Sequence, residues 1–297
     1  MSQDFPSFKI QQEKAVPKFL EWVSRAEWFV TLCKRASEGS TNRVRLKESR
    51  FLAERIPLPP LEEQRRIAAR LDALKARIDE ARASIRQVRK SGNDLLIAMA
   101  HREDLNATIK HDAGWIRVRL GDVLTEAAEP HAVDPEARYS NLGIYSFARG
   151  VFSKPPISGA ETSATTLYRV HPGQFIYSRL FAFEGAYAVV PEDMDGYFAS
   201  NEFPAFNLDG SRITPAFLTA YFKSPAVWER LAAGSLGLGS RRQRVQVPKL
   251  LHHQLMLPPL EWQHKIAATK RRLEGAPSGK AELLDRLLPA LLDQVFR

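Results

Sequence analysis

The chain has almost no cysteine and no long apolar run. Cys33 is the only cysteine among 297 residues, which excludes an intrachain disulfide and a cysteine-rich zinc site. A small buried side chain is a simpler role for Cys33 than a catalytic thiol. No stretch reaches the ~20 apolar residues that a membrane helix needs, and charges interrupt the N-terminal segment. The sequence therefore predicts a cytoplasmic protein.

Recognisable catalytic motifs are scarce as well. The seven histidines lack the spacing of metal ligands, and His252 and His253 are adjacent. The glycine-rich segment 234–240 fits neither a dinucleotide fingerprint nor a phosphate loop. The acidic cluster 192–195 has no neighbouring lysine of the kind that a nuclease site would use. We expect no catalytic residue, no metal and no cofactor bound by this chain.

The chain does contain a long internal repeat. The segment LPPLEEQ from Leu58 recurs as LPPLEWQ from Leu257, and the match extends upstream with nearly constant spacing. Phe8 corresponds to Phe206 in this alignment. Residues 115–201 have no counterpart ahead of the first copy. One structural unit is therefore used twice, with the first copy matching only its later part.

Positive charge is concentrated at equivalent places in the two copies. The net charge is +9, yet residues 115–250 are nearly neutral apart from one basic run. A basic run that follows the same Gly-Ser in both copies favours phosphate contact over plain solvated surface. The candidates are Arg241, Arg242, Arg244 and Lys249 in the second copy, and Arg43 and Arg45 in the first.

Two helical regions follow the repeated motif. From Pro59 the sequence shows entry prolines, first-turn acids and then a narrow seam that steps by four and three until Gly92 interrupts it. The second region keeps part of this seam, stops at 275–279, and continues in a leucine-rich helix that Pro289 is expected to kink. Such seams predict an antiparallel coiled coil between the two regions. The pairing residues are Ile67, Leu71, Leu74, Ile78, Ile85, Val88, Ile266, Leu273, Leu284, Leu287 and Leu291.

The segment between the helical regions has a mixed pattern. Short apolar runs alternate with turn clusters at 129–135 and 154–159, and no regular alternation of strands and helices occurs. A single mixed domain over 115–250 is expected. Its strands are predicted at 116–120, 174–177 and 187–190, and its helices at 215–222 and 226–232.

These features resemble the DNA-specificity (S) subunits of type I restriction-modification systems. The twice-used proline-leucine-glutamate-glutamine helix start carries the resemblance. So do the domain opening that starts at Gly114 and Trp115 and the closing Leu291, Leu292 and Asp293. The resemblance covers essentially the whole chain.

The resemblance implies an α+β fold. It combines one mixed target-recognition domain, two long helices paired as an antiparallel coiled coil, and a partial recognition domain at the N-terminus. It also implies a non-catalytic DNA-binding subunit that directs methyltransferase and restriction subunits, which would hold S-adenosylmethionine, ATP and magnesium. The predicted boundaries are 1–55 for the partial domain, 56–105 for the first spacer helix, 106–114 for a linker, 115–250 for the complete domain and 251–297 for the second helical region.

Candidates for base contact lie in polar or turn segments of the 115–250 domain, where a surface or structural role is an equal alternative. Arginine to guanine is the commonest specific contact. The candidates are Tyr145, Arg149, Lys154, Ser178, Arg179 and Asn201.

The partial first domain leaves several readings open. A second specificity chain supplies the missing half, two copies pair and read a symmetric DNA site, or the protein is a degenerate relic. The main alternative function is a coiled-coil interaction subunit that binds the methyltransferase or another specificity chain without reading DNA. An autonomous enzyme is the most distant alternative.

Overall fold

The fold is that of a computed structural model, which describes residues 7–38, 45–233, 244–275 and 278–296. The chain divides into two compact units. The N-terminal unit comprises 1–88 together with 277–297, and the recognition unit comprises 89–276.

The N-terminal unit is mainly helical. Its core holds Phe19, Trp22, Ala68, Leu71 and Leu292, all at most 4% exposed. The elements are α1 (Pro17–Val23), α2 (Glu27–Arg35), β1 (Ser37–Glu38), β2 (Arg45–Leu46), α3 (Glu48–Ala53), the first part of α4 (Leu61–His101) and α10 (Ser278–Val295).

The described part of the recognition unit contains three sheets and a large core rich in aromatic side chains. The sheets have the strand orders β10-β9-β12-β4, β5-β8-β11-β6-β7 and β13-β3, and among these described strands only the β11–β6 pair is parallel. The strands are β3 (Ile116–Arg119), β4 (Leu124–Glu126), β5 (Pro130–Ala132), β6 (Arg138–Ile144), β7 (Val151–Ser158), β8 (Thr166–Arg169), β9 (Phe175–Tyr177), β10 (Tyr187–Val189), β11 (Phe198–Ala199), β12 (Ala205–Leu208) and β13 (Gln254–Leu257).

The helices of the recognition unit lie at its two ends along the sequence. They are α5 (Ala107–Asp112), α6 (Pro215–Tyr221), α7 (Pro225–Ala232), α8 (Val247–Leu251) and α9 (Leu260–Gly275), after the last residues of α4. The mixed α/β class predicted from the sequence is confirmed. So are the three strands and two helices predicted between 115 and 250, to within a residue or two. The turn cluster predicted at 154–159 is wrong in large part, because β7 runs through it to Ser158. The cluster predicted at 129–135 is wrong in part, because it contains β5.

β13 lies beyond the predicted domain end at residue 250. It pairs antiparallel with β3, from Gln254 opposite Arg119 to Leu257 opposite Ile116. The sheet therefore joins the opening of the recognition unit to the segment just before its last helix.

The repeat is visible as four helices in the same order. α1, α2, α3 and the start of α4 correspond to α6, α7, α8 and the start of α9. Two buried glutamines make the same hydrogen bonds in both copies. Gln64 Oε1 accepts from the N–H of Val16 at 2.7 Å, while its amide donates to the carbonyls of Lys14 and Pro59 at 3.0 and 2.7 Å.

Gln263 repeats this arrangement 199 positions later. Its Oε1 accepts from the N–H of Thr214 at 2.8 Å, and its amide donates to the carbonyls of Arg212 and Pro258 at 2.8 and 2.9 Å. Both glutamines are fully buried. We call each set of three hydrogen bonds a glutamine clamp. Each clamp ties a spacer helix to the turn before the first helix of its copy.

The predicted helix pairing can be followed within each unit. In the N-terminal unit, Leu71 of α4 packs in the core with Leu292 of α10, and Arg82 forms an ion pair with Asp285 at 2.8 Å. The order of these contacts is antiparallel. Ile67, Leu74 and Leu291 line a cavity between the same helices; Ile78 is buried, and Ile85 and Leu284 are half-buried.

In the recognition unit, α9 packs against the end of α4. The indole of Trp262 donates to the carbonyl of Met99 at 2.9 Å, and the side chain of Leu273 lies against Gly92. Ile266 is buried in the main core. Here too the two helices run antiparallel.

The predicted end of the seam at Gly92 and two of its residues are wrong. The side chain of Leu273 packs against Gly92, and α4 continues to His101, inside the predicted helical span 56–105. Val88 and Leu287 are 52% and 42% exposed, so neither is buried in a helix contact. A coiled coil in the strict knobs-into-holes sense stays a prediction.

Within the described ranges, no helix combines the length and the apolar character needed to cross a bilayer.

Candidate nucleic-acid interface

Several predicted base-contact residues meet at the ends of β9 and β11. The N–H of Arg179 donates to the carbonyl of Glu202 at 2.9 Å, and Asn201 precedes Glu202 on an exposed turn. Arg179 and Asn201 both line a cavity of about 140 Å³ together with Tyr168. The cavity can accept a flat polar group, because amide, guanidinium and phenol groups converge on it.

Arg244, the first described residue of the basic run, lies in the same region. The N–H of Val245 donates to the carbonyl of Arg179 at 3.0 Å, and the hydroxyl of Tyr177 donates to the carbonyl of Val245 at 2.9 Å. Arg244 is exposed and lies 3.2 Å from the carboxylate of Glu202. Burial raises the pKa of Tyr177, so its hydroxyl stays a neutral donor. Arg244 and Arg179 therefore occupy one surface.

Arg179 and Glu202 each retain hydrogen-bonding capacity. The buried Nε of Arg179 and one buried carboxylate oxygen of Glu202 have no partner among the described residues. A buried unpaired donor favours an incoming acceptor, because leaving it unmatched costs free energy. Ser178 is different: it is 1% exposed, and its hydroxyl accepts from the N–H of Phe181 at 3.2 Å. Ser178 holds the turn and does not present a surface group.

The loop from β6 to β7 carries two more predicted residues. Tyr145 is exposed, and the guanidinium of Arg149 lies 4.9 Å from its ring centroid. The same guanidinium lies 5.9 Å from the ring of Phe147, which is 64% exposed. The loop thus displays one cation between two aromatic rings.

Lys154 lies on β7 and not in the turn that the sequence predicted. Its ammonium group is 5.4 Å from the ring centroid of Phe203. Phe203 belongs to the turn after β11, where its N–H donates to the carbonyl of Ser200 at 2.9 Å. Lys154 therefore lies near the Asn201 turn even though its backbone is extended.

The remaining basic candidates are used differently. Lys249 donates from its ammonium group to the carbonyl of Ala233 at the end of α7, which gives it a structural hydrogen bond. Arg45 lies exposed on β2 of the N-terminal unit. Arg43, Arg241 and Arg242 lie outside the described residues.

Sequence reasoning missed three aromatic and acidic members of this surface. They are Phe147, Phe181 and Glu202, of which the two phenylalanines are 64% and 45% exposed. A phenylalanine in a short irregular segment gives no periodic signal, so its exposure could be found only from the folded loop. In the described part of the chain, no group of three or more His, Cys, Asp or Glu side chains could hold a metal ion.

Comparison with solved structures shows the fold class. The chain matches a structure described as "Structural basis underlying complex assembly and conformational transition of the type I R-M system" with a TM-score of 0.59 and 22% identity, covering 97% of this chain and 72% of that one. It also matches the type I restriction-modification S subunit from M. genitalium with a TM-score of 0.50 and 11% identity, covering 97% and 74%. The fold is therefore that of type I specificity subunits.

The family comparison agrees with this fold. Residues 23–89 match the model of the type I restriction modification DNA specificity domain. No curated protein matches the sequence. The resemblance stated from the repeated helix start is confirmed by the family model and the fold together.

Proposed function

We propose that the chain is the DNA-reading specificity subunit of a type I restriction-modification complex. The observation that carries the proposal is the grouping of Arg179, Asn201 and Arg244 at the ends of β9 and β11 in a specificity-subunit fold, whose β6–β7 loop also exposes Tyr145 and Arg149. Guanidinium and amide groups supply the donors that read guanine and adenine edges, and exposed arginines bind phosphates.

The proposed subunit is non-catalytic. It directs methyltransferase and restriction subunits to its site, and those subunits hold S-adenosylmethionine, ATP and magnesium. Their assembly is suggested by the type I complex to which the fold is similar. The methyltransferase and restriction subunits would not read the half-site that the recognition unit binds.

A second specificity chain is a further proposed partner. Phe206 on β12 is fully buried, between strands β4 and β9. Its repeat equivalent Phe8 is 42% exposed, and residues 7–10 are in no strand. Among the described residues no strand pairs with residues 7–10, so this position would fit strands like those of 115–204, which we propose that a second specificity chain supplies.

The test combines co-purification with methylation mapping. The chain is co-expressed with type I methyltransferase subunits, and methylated sites are mapped in the host DNA. We expect a stable complex and methylation at one defined sequence that disappears without this chain. Copurification without DNA binding at low salt would contradict the proposed reading function.

The interaction subunit without DNA reading remains the second candidate. The family match at 23–89 covers α2, α3 and most of α4, and it reaches only the first residue of the recognition unit. Under this candidate the complex still forms, and substitution of Arg179 leaves methylation and DNA affinity unchanged.

A further inference from the structure

The loop between β6 and β7 presents its most apolar side chain in a strained conformation. Phe147 has φ of 64° and Ala148 has φ of 48°, both in the left-handed region that bulky residues rarely adopt. Gly150 in the same loop has φ of 91°. A glycine or asparagine at 147 would adopt this backbone more easily, so backbone geometry alone does not account for the phenyl group.

The recognition unit holds this loop firmly. The N–H of Phe147 donates to the carbonyl of Glu184 at 2.7 Å, and the N–H of Ala148 donates to the carbonyl of Gly185 at 2.8 Å. The hydroxyl of Ser146 donates to the carboxylate of Glu184 at 2.9 Å. Ala148 is buried in the main core while the neighbouring phenyl ring projects outward. The exposed ring is thus fixed in place.

Gly185, whose carbonyl accepts the hydrogen bond from Ala148, is also fixed in place. Gly185 has φ of 79°, and a β-carbon there would lie 2.4 Å from the indole of Trp228. The ring of Phe147 stands edge-on to this indole with centroids 6.3 Å apart. The loop is therefore positioned by α7, the helix that leads into the basic run.

We propose that Phe147 inserts its ring at a base step of the bound DNA, with Arg149 contacting the adjacent phosphate. This inference rests on the proposed DNA-reading function. An exposed ring beside a guanidinium matches a ligand that offers apolar stacked faces next to negative charge, and a duplex presents base steps between phosphates. Apolar wedges of this kind enter base steps and partly unstack them.

Loss of Phe147 and loss of Arg149 should affect DNA binding in different ways. Base–aromatic stacking contributes about 1–3 kcal/mol, so loss of the ring should weaken binding at least about fivefold. The salt dependence should stay unchanged, because no charge is lost. Loss of the Arg149 phosphate contact should instead reduce the slope of log affinity against log salt by about one.

The test uses the full chain in complex with methyltransferase subunits and duplexes carrying 2-aminopurine at successive positions of the mapped site. Wild type should raise the fluorescence at one base step, and Phe147→Ala should abolish this signal and weaken binding. Phe147→Tyr should retain both, since the ring remains. Ile109→Ala, an exposed apolar residue on α5, serves as the matched control and should change neither.

A glycine variant separates the binding role from a role in folding. Phe147→Gly relieves the left-handed strain, so thermal stability should not fall while DNA affinity does. Equal affinity and equal fluorescence for wild type and Phe147→Ala would overturn the wedge while leaving DNA reading intact. No binding by wild type at any salt would instead contradict the proposed function itself.

Discussion

Two buried glutamines hold equivalent backbone segments in the two copies of the repeat. Gln64 and Gln263 each satisfy one backbone N–H and two carbonyls from a fully buried position. Replacement by methionine keeps the volume and removes all three hydrogen bonds. The repeat identified both positions from the sequence, but only the folded chain shows which backbone groups they bind.

We expect Gln263→Met to lower the free energy of unfolding by about 3 kcal/mol or more, because three buried polar groups lose their partner. Gln64→Met should lower the free energy of unfolding in the same way in the other copy. Urea denaturation measures the change for both variants. The exposed Gln12→Met serves as control and should stay within about 0.5 kcal/mol of wild type. A wild-type midpoint for either clamp variant would show that the clamps contribute little.

The partly buried His253 makes the free energy of unfolding depend on pH. Burial lowers the pKa of His253 to about 4, and its Nε2 lies 2.7 Å from the hydroxyl of Tyr221. The unfolded chain takes up the proton near pH 6.5. The stability is therefore complete above about pH 6.5 and is lost progressively as the pH falls towards 4.

At pH 5 this loss should reach about 2 kcal/mol. His253→Gln, which removes the titration, should show a smaller loss between pH 7.5 and 5 in urea melts. His171 should show the opposite pH dependence and serves as the control, because hydrogen bonds with Glu129 and Asp195 raise its pKa. Its small stabilisation is present below about pH 6.5 and is lost as the pH rises through the raised pKa. Equal pH slopes for wild type and His253→Gln would contradict the assignment.

At the scale of the element, α4 shows where sequence patterns succeed and fail. Entry prolines and acids predicted its start, and the steps of four and three predicted Leu71 and Ile78 as its buried side. Glycine has no side chain to pack, so the apolar seam was expected to end at Gly92. The helix contact continues instead, because the side chain of Leu273 on α9 lies against Gly92.

A double-mutant cycle can measure this contact. A β-carbon at Gly92 would lie 3.0 Å from Leu273 Cδ2, which opposes the gain of about 1 kcal/mol in helix propensity for alanine. We expect Gly92→Ala to be nearly neutral alone and stabilising by about 1 kcal/mol in a Leu273→Ala background. Gly92→Ile should destabilise the recognition unit in the wild-type background. Additive effects in thermal melts would argue against the packing.

The recognition unit was harder to predict than the helices. Strands such as β9 and β10 stand out as apolar runs, whereas β7 contains Pro155 and Pro156 and looks like a turn. Pairing with β6 overrides that local preference. The candidate site could likewise be predicted only in part. Arginines can be recognised as candidates from the sequence, but the exposure of Phe147 depends on which backbone groups anchor its loop.

At the scale of the whole molecule, equivalent residues of the two copies differ in burial. Phe8 and Phe206 occupy the same position in the repeat, yet only Phe206 is buried. Insertion of a second copy of residues 107–204 directly before Ser7 would place the missing strands in the equivalent register. We expect hydrogen exchange of residues 7–10 to slow markedly in this variant.

The same insertion carrying Phe8→Asp provides the matched control. The aspartate should prevent docking and leave the inserted strands open to proteolysis, while the original recognition unit stays protected. Rapid exchange at residues 7–10 in the insertion variant without Phe8→Asp would show that the N-terminal unit does not accept a segment of this kind.

The glutamine clamps also define a joint at which domains can be exchanged during evolution. Each clamp joins one side chain of the LPPLE-x-Q motif to a proline carbonyl of the same motif and to two backbone groups of the turn before the first helix of its copy. Backbone groups are the same in every sequence, so a recombination crossover inside the motif would rebuild the joint whichever domain arrived. Under the proposed function, such exchange of domains would change the target specificity with no change to the spacer helices.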